Sequence, residues 1–193
     1  MANATKPYSV AIDLGSGALK SFNKKVEVKL RDLRGFFYDR GAVDAAVYGL
    51  KNPTVYEYFE NSQPSARGQM NFGVTTLNPG KVGSEYYMTR GHYHAKKRAA
   101  EIYVGLGGKG IVVMQTKEGR FFHSPISRGR IVYIPPLWAH RTVNTGEEKL
   151  SFFYAYASDA GHDYGTIRRK GFAKLVVEKG GRPKIIDNPK YSP

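Results

Sequence analysis

A chain of 193 residues with 41% hydrophobic content is long enough to bury one core and has the composition of a globular domain. It contains no Cys, which excludes disulfides, zinc–thiolate sites and thiol nucleophiles. Thirty Lys and Arg against sixteen Asp and Glu give a net charge of +14. The cations fall in short scattered clusters, at residues 96–98 and 168–170, without a nucleic-acid-binding motif, so they read as a solvated basic surface.

No apolar run approaches the roughly 20 residues that span a bilayer. Residues 1–6 lack the apolar core of a signal peptide. The chain is therefore expected in the cytoplasm, with neither a membrane nor a nucleic acid as partner. In chain order, residues 1–30 are expected as a strand-like N-terminal extension and residues 31–193 as one domain. Residues 41–50 can form one short helix. Residues 55–60 alternate as a strand does, and 61–68 form a polar loop. From residue 70 short strands follow one another at 70–77, 85–89, 101–106, 111–116, 121–124, 130–134, 141–144 and 150–157. Gly- and Pro-containing turns separate them, including a hairpin turn at 117–120. A late hairpin joins 174–178 to 183–186. Many short strands rich in Tyr, Val, Ile and Phe, with little helix, predict an all-β sandwich or barrel.

Two of the five His stand at His92 and His94. On a strand, residues i and i+2 share a face, so both imidazoles can meet one ion. Glu101 follows across a six-residue spacer that can turn the chain into a neighbouring strand. His140 follows Pro135 and Pro136, which pin the chain ahead of it. Three imidazoles and one carboxylate suit Fe(II), Mn(II), Ni(II) or Zn(II) and leave positions open for substrate oxygens. His123 lies outside this pattern and reads as a surface or packing residue, and Trp138 as a packing residue at the barrel mouth.

The order His92, His94, Glu101, Gly107 or Gly108, followed by Gly129, Pro135, His140 and Asn144, resembles the paired motifs of the cupin superfamily. Two positions depart from it: Leu137 stands where glycine is usual in the second motif, and the leading glycine of the first motif is displaced. Longer words narrow the resemblance. Residues 89–96 (Thr-Arg-Gly-His-Tyr-His-Ala-Lys), 100–103, 133–144 and 159–166 (Asp-Ala-Gly-His-Asp-Tyr-Gly-Thr) are similar to the cupin-type glucose-6-phosphate isomerases of archaea and a few bacteria. The resemblance runs from about residue 31 to the C-terminus. It implies a single-domain cupin β-barrel (a double-stranded β-helix of jelly-roll kind), a homodimer, and one divalent metal ion per subunit, with Fe(II) first among the candidates. It also implies a sugar-phosphate substrate, interconverted between glucose 6-phosphate and fructose 6-phosphate.

Matched residue by residue, the resemblance assigns His92, His94, Glu101 and His140 to the metal. It assigns Thr75, Thr89, Gly91 and Tyr164 to the sugar phosphate, Tyr156 and His162 to the sugar carbons, and Tyr56 and Tyr103 to the pocket wall. Glu101, the one carboxylate of the motif, is the expected base for a cis-enediol route; a metal-assisted hydride shift stays open. His162 or Tyr156 would relay the ring-opening proton. Another cupin metalloenzyme (a different sugar-phosphate isomerase or an Fe(II) dioxygenase) and a non-catalytic sugar-binding cupin are the competing readings, since this barrel serves many chemistries.

Overall fold

The computed structural model describes residues 6–191. The first five residues of the expected N-terminal extension lie outside them. A small hairpin, β1 (Ile12–Asp13) and β2 (Ala18–Leu19), precedes β3 (Lys24–Lys29), a 3-10 turn (Leu30–Leu33) and helix α1 (Arg40–Gly49). Asp39 caps α1 by accepting the Ala42 N–H at 2.9 Å. Then come β4 (Thr54–Asn61), β5 (Met70–Leu77), β6 (Lys81–Val82), β7 (Glu85–Tyr86) and β8 (Tyr93–His94). β9 (Glu101–Gly107), β10 (Lys109–Gln115), β11 (Phe121–Ser127), β12 (Ile131–Ile134), β13 (Ala139–Asn144) and β14 (Leu150–Ala157) follow. The chain ends through β15 (His162–Asp163), helix α2 (Tyr164–Lys170), β16 (Lys174–Lys179) and β17 (Arg182–Asp187).

The larger sheet has the order β12-β9-β14-β5-β4-β3. A second runs β11-β10-β13 and is extended by isolated bridges from β13 to the preceding chain, Met88 to Val143 and His92 to His140. All paired strands are antiparallel. Val112, Ile126, Ile134, Leu77, Leu150 and Phe152 are fully buried in one core. This is the all-β barrel expected from the spacing of strands and turns. The strand-like reading of the N-terminal segment holds at β3, which is an edge strand of the larger sheet. The late hairpin, β16 with β17, is also present.

Two local expectations are corrected. The strand expected over 85–89 stops at Tyr86. β7 pairs with β6 and β16, whereas residues 88–92 reach across to β13, and no single ladder can serve both partners. Helix α2 was not foreseen in the sequence. Its one buried residue is Ile167, so it shows no apolar stripe. Its start is nonetheless marked: Asp163 accepts from the Thr166 N–H at 3.0 Å and from the Thr166 hydroxyl at 2.6 Å.

Candidate metal centre and active site

Four neighbouring strands of the larger sheet turn inward-facing side chains into one pocket of about 260 Å³. β4 supplies Tyr56, Tyr58 and Glu60, and β5 supplies Thr75. β14 supplies Phe152, Tyr154 and Tyr156, while β9 supplies Glu101 and Tyr103. Register sets Tyr156 opposite Glu101 and Tyr154 opposite Tyr103. The second sheet closes the pocket with His140 and with the Thr89–His92 stretch. Every residue that the sequence assigned to substrate lines this one cavity: Tyr56, Thr75, Thr89, Gly91, Tyr103, Tyr156, His162 and Tyr164.

The four expected ligands converge. One donor atom from each of His92, His94, Glu101 and His140 lies within 4.8 Å of the others. Glu101 Oε2 is 3.0 Å from His140 Nε2, 3.2 Å from His94 Nε2 and 3.9 Å from His92 Nε2. Bonds of roughly 2.1 Å to a common ion would set donors at right angles roughly 3 Å apart. His92 Nε2 and His140 Nε2 are buried without a well-aligned hydrogen-bond partner among the described residues. Buried polar atoms normally find partners, so two imidazole nitrogens left over around one carboxylate fit a cation. Trp138 O lies 3.4 Å from His140 Nδ1. A proton on that nitrogen would point Nε2 at the centre, as ligand histidines are commonly oriented.

The approach to His140 is a turn closed by the Trp138 N–H on Pro135 O at 3.4 Å. Pro136 and Leu137 occupy its corners, and Leu137 has φ +74°. Turns with proline at the first corner and a left-handed residue at the second favour glycine there. Leu137 keeps the conformation that glycine would adopt freely. Gly91 needs its lack of a side chain for a second reason. At φ +72°, a Cβ would come within 2.8 Å of the Phe172 ring and 3.0 Å of Arg141 Cβ. The Arg141 guanidinium fixes this stretch from behind by donating to Arg90 O at 2.7 and 3.2 Å.

The electrostatics divide the pocket. Burial would push the Glu101 carboxyl up, but His140 and His94 beside it bring it down to about 2, so it is ionised at neutral pH. His92 falls well below its ordinary value, first through burial and then through its histidine neighbours. His162 stands at the mouth, its ring 4.4 Å from His92 and stacked 5.6 Å from Tyr164. Desolvation lowers it and Glu101 opposes, while its outer edge is open to solvent. Burial raises Tyr103 well above its usual range and Tyr56 to about 12, so both stay neutral donors.

A second carboxylate, not identified from the sequence, organises the other end. Glu60 is 2% exposed. It accepts from the Tyr156 hydroxyl at 2.9 Å, the Tyr154 hydroxyl at 3.0 Å and Lys24 Nζ at 3.1 Å. Burial acts to raise it, but Ser62, Lys24 and Tyr156 together hold it below the usual carboxylate range. Lys24 also lines the pocket, and its ammonium lies 5.4 Å from the Tyr58 ring centroid. Arg90 lines the same cavity, with its guanidinium 6.0 Å from the Tyr164 ring. The signal for Glu60 was the alternation Tyr56, Tyr58, Glu60, once its inward face is known. His123 is exposed and Trp138 packs against the core, as expected, and neither lines the pocket.

Comparisons with known proteins agree with this geometry. The family model described as Glucose-6-phosphate isomerase (GPI) matches residues 27–191. A curated relative from Thermococcus gammatolerans named glucose-6-phosphate isomerase is 48% identical over 187 residues, covering 97% of each chain. Another from Pyrococcus furiosus, of the same name, is 45% identical over 186 residues, covering 96% of this chain and 97% of its own. A solved structure of oxalate oxidase is similar in fold alone, with a TM-score of 0.50 and 15% identity over 62% of this chain and 60% of that one. With the fold, the clustered ligands and near full-length identity in agreement, the chain belongs to the glucose-6-phosphate isomerase family in its cupin form.

Proposed function

We propose that this chain interconverts glucose 6-phosphate and fructose 6-phosphate as a cytoplasmic homodimer. One divalent ion per subunit, Fe(II) ahead of Mn(II), Ni(II) or Zn(II), would be held by His92, His94, Glu101 and His140. The observation that carries this reading is an ionised Glu101 set among three imidazoles in a pocket that also presents the hydroxyls of Thr75, Thr89 and Tyr164 and the cations Lys24 and Arg90. When bound, the ion supplies Lewis acidity toward neighbouring sugar oxygens.

The chain's own residues divide the remaining work. The hydroxyls of Thr75, Thr89 and Tyr164 and the Gly91 N–H serve the phosphate, with Lys24 and Arg90 adding positive field. Thr89 Oγ1 already accepts the Thr142 N–H at 3.1 Å, which leaves its own proton to donate. Glu101 accepts a proton from one sugar carbon and returns it to its neighbour along the enediol route. Its weak basicity requires a carbon acidified by a polarised carbonyl. The Tyr156 hydroxyl is directed at Glu60 and receives the Asn71 amide at 3.2 Å, so it positions the sugar. Ring opening then falls to His162, neutral near pH 7 and open to solvent. An oxygen-activating cupin would use the same four ligands but gives Lys24, Thr75, Thr89 and Arg90 no task.

The test is turnover of fructose 6-phosphate in a coupled assay, on protein stripped of metal and then reloaded. Activity should vanish on stripping and return with Fe(II) or Mn(II). Absence of turnover with Fe(II), Mn(II), Ni(II) and Zn(II) alike would overturn the proposal.

A further inference from the structure

Behind the wall formed by Gly91 lies a second cavity, of about 450 Å³. It opens between the start of α1, the end of α2 and the C-terminal residues, with Arg141 and Phe172 as its inner face. Six cations line it: Arg40, Arg141, Arg168, Arg169, Lys170 and Lys190. Its single acidic residue, Asp39, is engaged in capping α1. None of the six cations has a carboxylate within 4.0 Å among the described residues, although seven other Lys or Arg side chains of the protein do.

The innermost cation is the informative one. Arg141 is 4% exposed, its guanidinium lying 4.7 Å from the Phe172 ring centroid. It donates to Arg90 O through Nε and Nη2. No carboxylate lies within 4.0 Å of it among the described residues; the buried Glu85, which accepts the Tyr38 N–H at 2.9 Å, acts on it only from farther away, so part of its desolvation cost is left for an anion to offset. Two of the other cations have contacts that hold them at the same space. Arg168 lies against the bare Cα of Gly35, where a Cβ would meet its Nε at 3.1 Å. Lys190 Nζ donates to Tyr38 O at 2.7 Å. The favourable position of cations at a helix C-terminus accounts for residues 168–170 on α2. It accounts for neither Arg40, Arg141 nor Lys190.

We propose that this cavity is a second anion site, separate from the catalytic pocket, for a small molecule carrying more than one phosphate group. Its volume lies within the range of ordinary ligand pockets, about 300–1,000 Å³. Its concavity and its buried inner cation favour a compact anion over a nucleic acid, which tracks exposed cations across a convex or grooved face.

The probe is inorganic pyrophosphate, titrated calorimetrically into metal-loaded enzyme with fructose 6-phosphate saturating the catalytic pocket and metal content measured before and after. One pyrophosphate should bind per subunit. In the double variant Arg40→Gln/Arg168→Gln binding should weaken by at least about tenfold, with kcat and KM for fructose 6-phosphate kept within about twofold. A melting temperature close to the parent's would confirm that the variant is folded. Failure to bind, displacement by fructose 6-phosphate, or equal binding to parent and variant would each overturn the proposal. Tighter binding of duplex DNA than of pyrophosphate, with a steep salt dependence, would overturn it in favour of a nucleic-acid surface. Since catalysis by the parent enzyme is measured separately, failure of this site is distinguishable from failure of the isomerase reading.

Discussion

The catalytic pocket and the basic cavity share a wall: Gly91 faces the first, while Arg141 and Phe172 face the second. In the catalytic pocket each carboxylate has its own positive or proton-rich company, Glu101 among three imidazoles and Glu60 with Lys24 and two tyrosines. What is left over there is a set of imidazole nitrogens, and such a remainder points to a cation. In the basic cavity the imbalance has the opposite sign, six cations around one occupied carboxylate. The net charge of a cavity therefore says less than which donors or charges remain after internal pairing is counted.

The sharpest way to break the comparison is at its metal end. Glu101→Gln keeps the shape of the side chain but removes both the charge and the base. Turnover should fall by roughly a thousandfold or more, whereas KM moves little. Activity within tenfold of the parent would remove Glu101 as the base. At the donor end, Thr89→Ala deletes one hydrogen bond to a charged phosphate. KM should rise by about tenfold, because such a bond contributes about 1.5 kcal/mol or somewhat more. An unchanged KM with reduced kcat would reassign Thr89 to the chemistry.

The mouth of the pocket is probed by pH. Desolvation lowers the His162 pKa from the ordinary 6.5, so the neutral, proton-accepting form persists at and above neutral pH and is lost only on acidification below that value. The acid limb of kcat/KM should therefore lie below pH 6.5, and His162→Gln should remove it while lowering the plateau. Persistence of the same limb in the variant would assign it to another group. The smallest effect is expected at Leu137, 60% exposed and left-handed. Leu137→Gly should stabilise the fold by about 0.5–1 kcal/mol, because relief of the conformation slightly outweighs glycine's greater freedom when unfolded. Urea unfolding would show it, and a loss of stability would mean that the Leu137 side chain packs more usefully than its exposure indicates.

Much of the barrel was legible because period-two alternation and Gly/Pro turns carry over directly into antiparallel strands, as β5, β9 and β14 show. The metal centre was legible for a different reason. Histidine is scarce here, so His92, His94 and His140 stand out, and cupin-like spacing joins them to Glu101. Lys24 and Glu60 could not be paired from the sequence, because their meeting depends on the register of β3 against β4, which sets them directly opposite. The break after Tyr86 was hidden because residues 85–89 have strand-like composition, and only the choice of two different partners interrupts the ladder. The basic cavity escaped notice because its cations come from both helices, β13 and the C-terminal stretch. Along the chain they looked like scattered surface charge.

Anomalous diffraction at the iron edge, from crystals of Fe(II)-loaded protein, would locate the ion among His92, His94, Glu101 and His140. One peak per subunit is expected, roughly 2.0–2.2 Å from the Nε2 atoms of His92, His94 and His140 and from a Glu101 carboxylate oxygen. A fully active crystal preparation with its iron elsewhere, or with none among these four side chains, would contradict this placement.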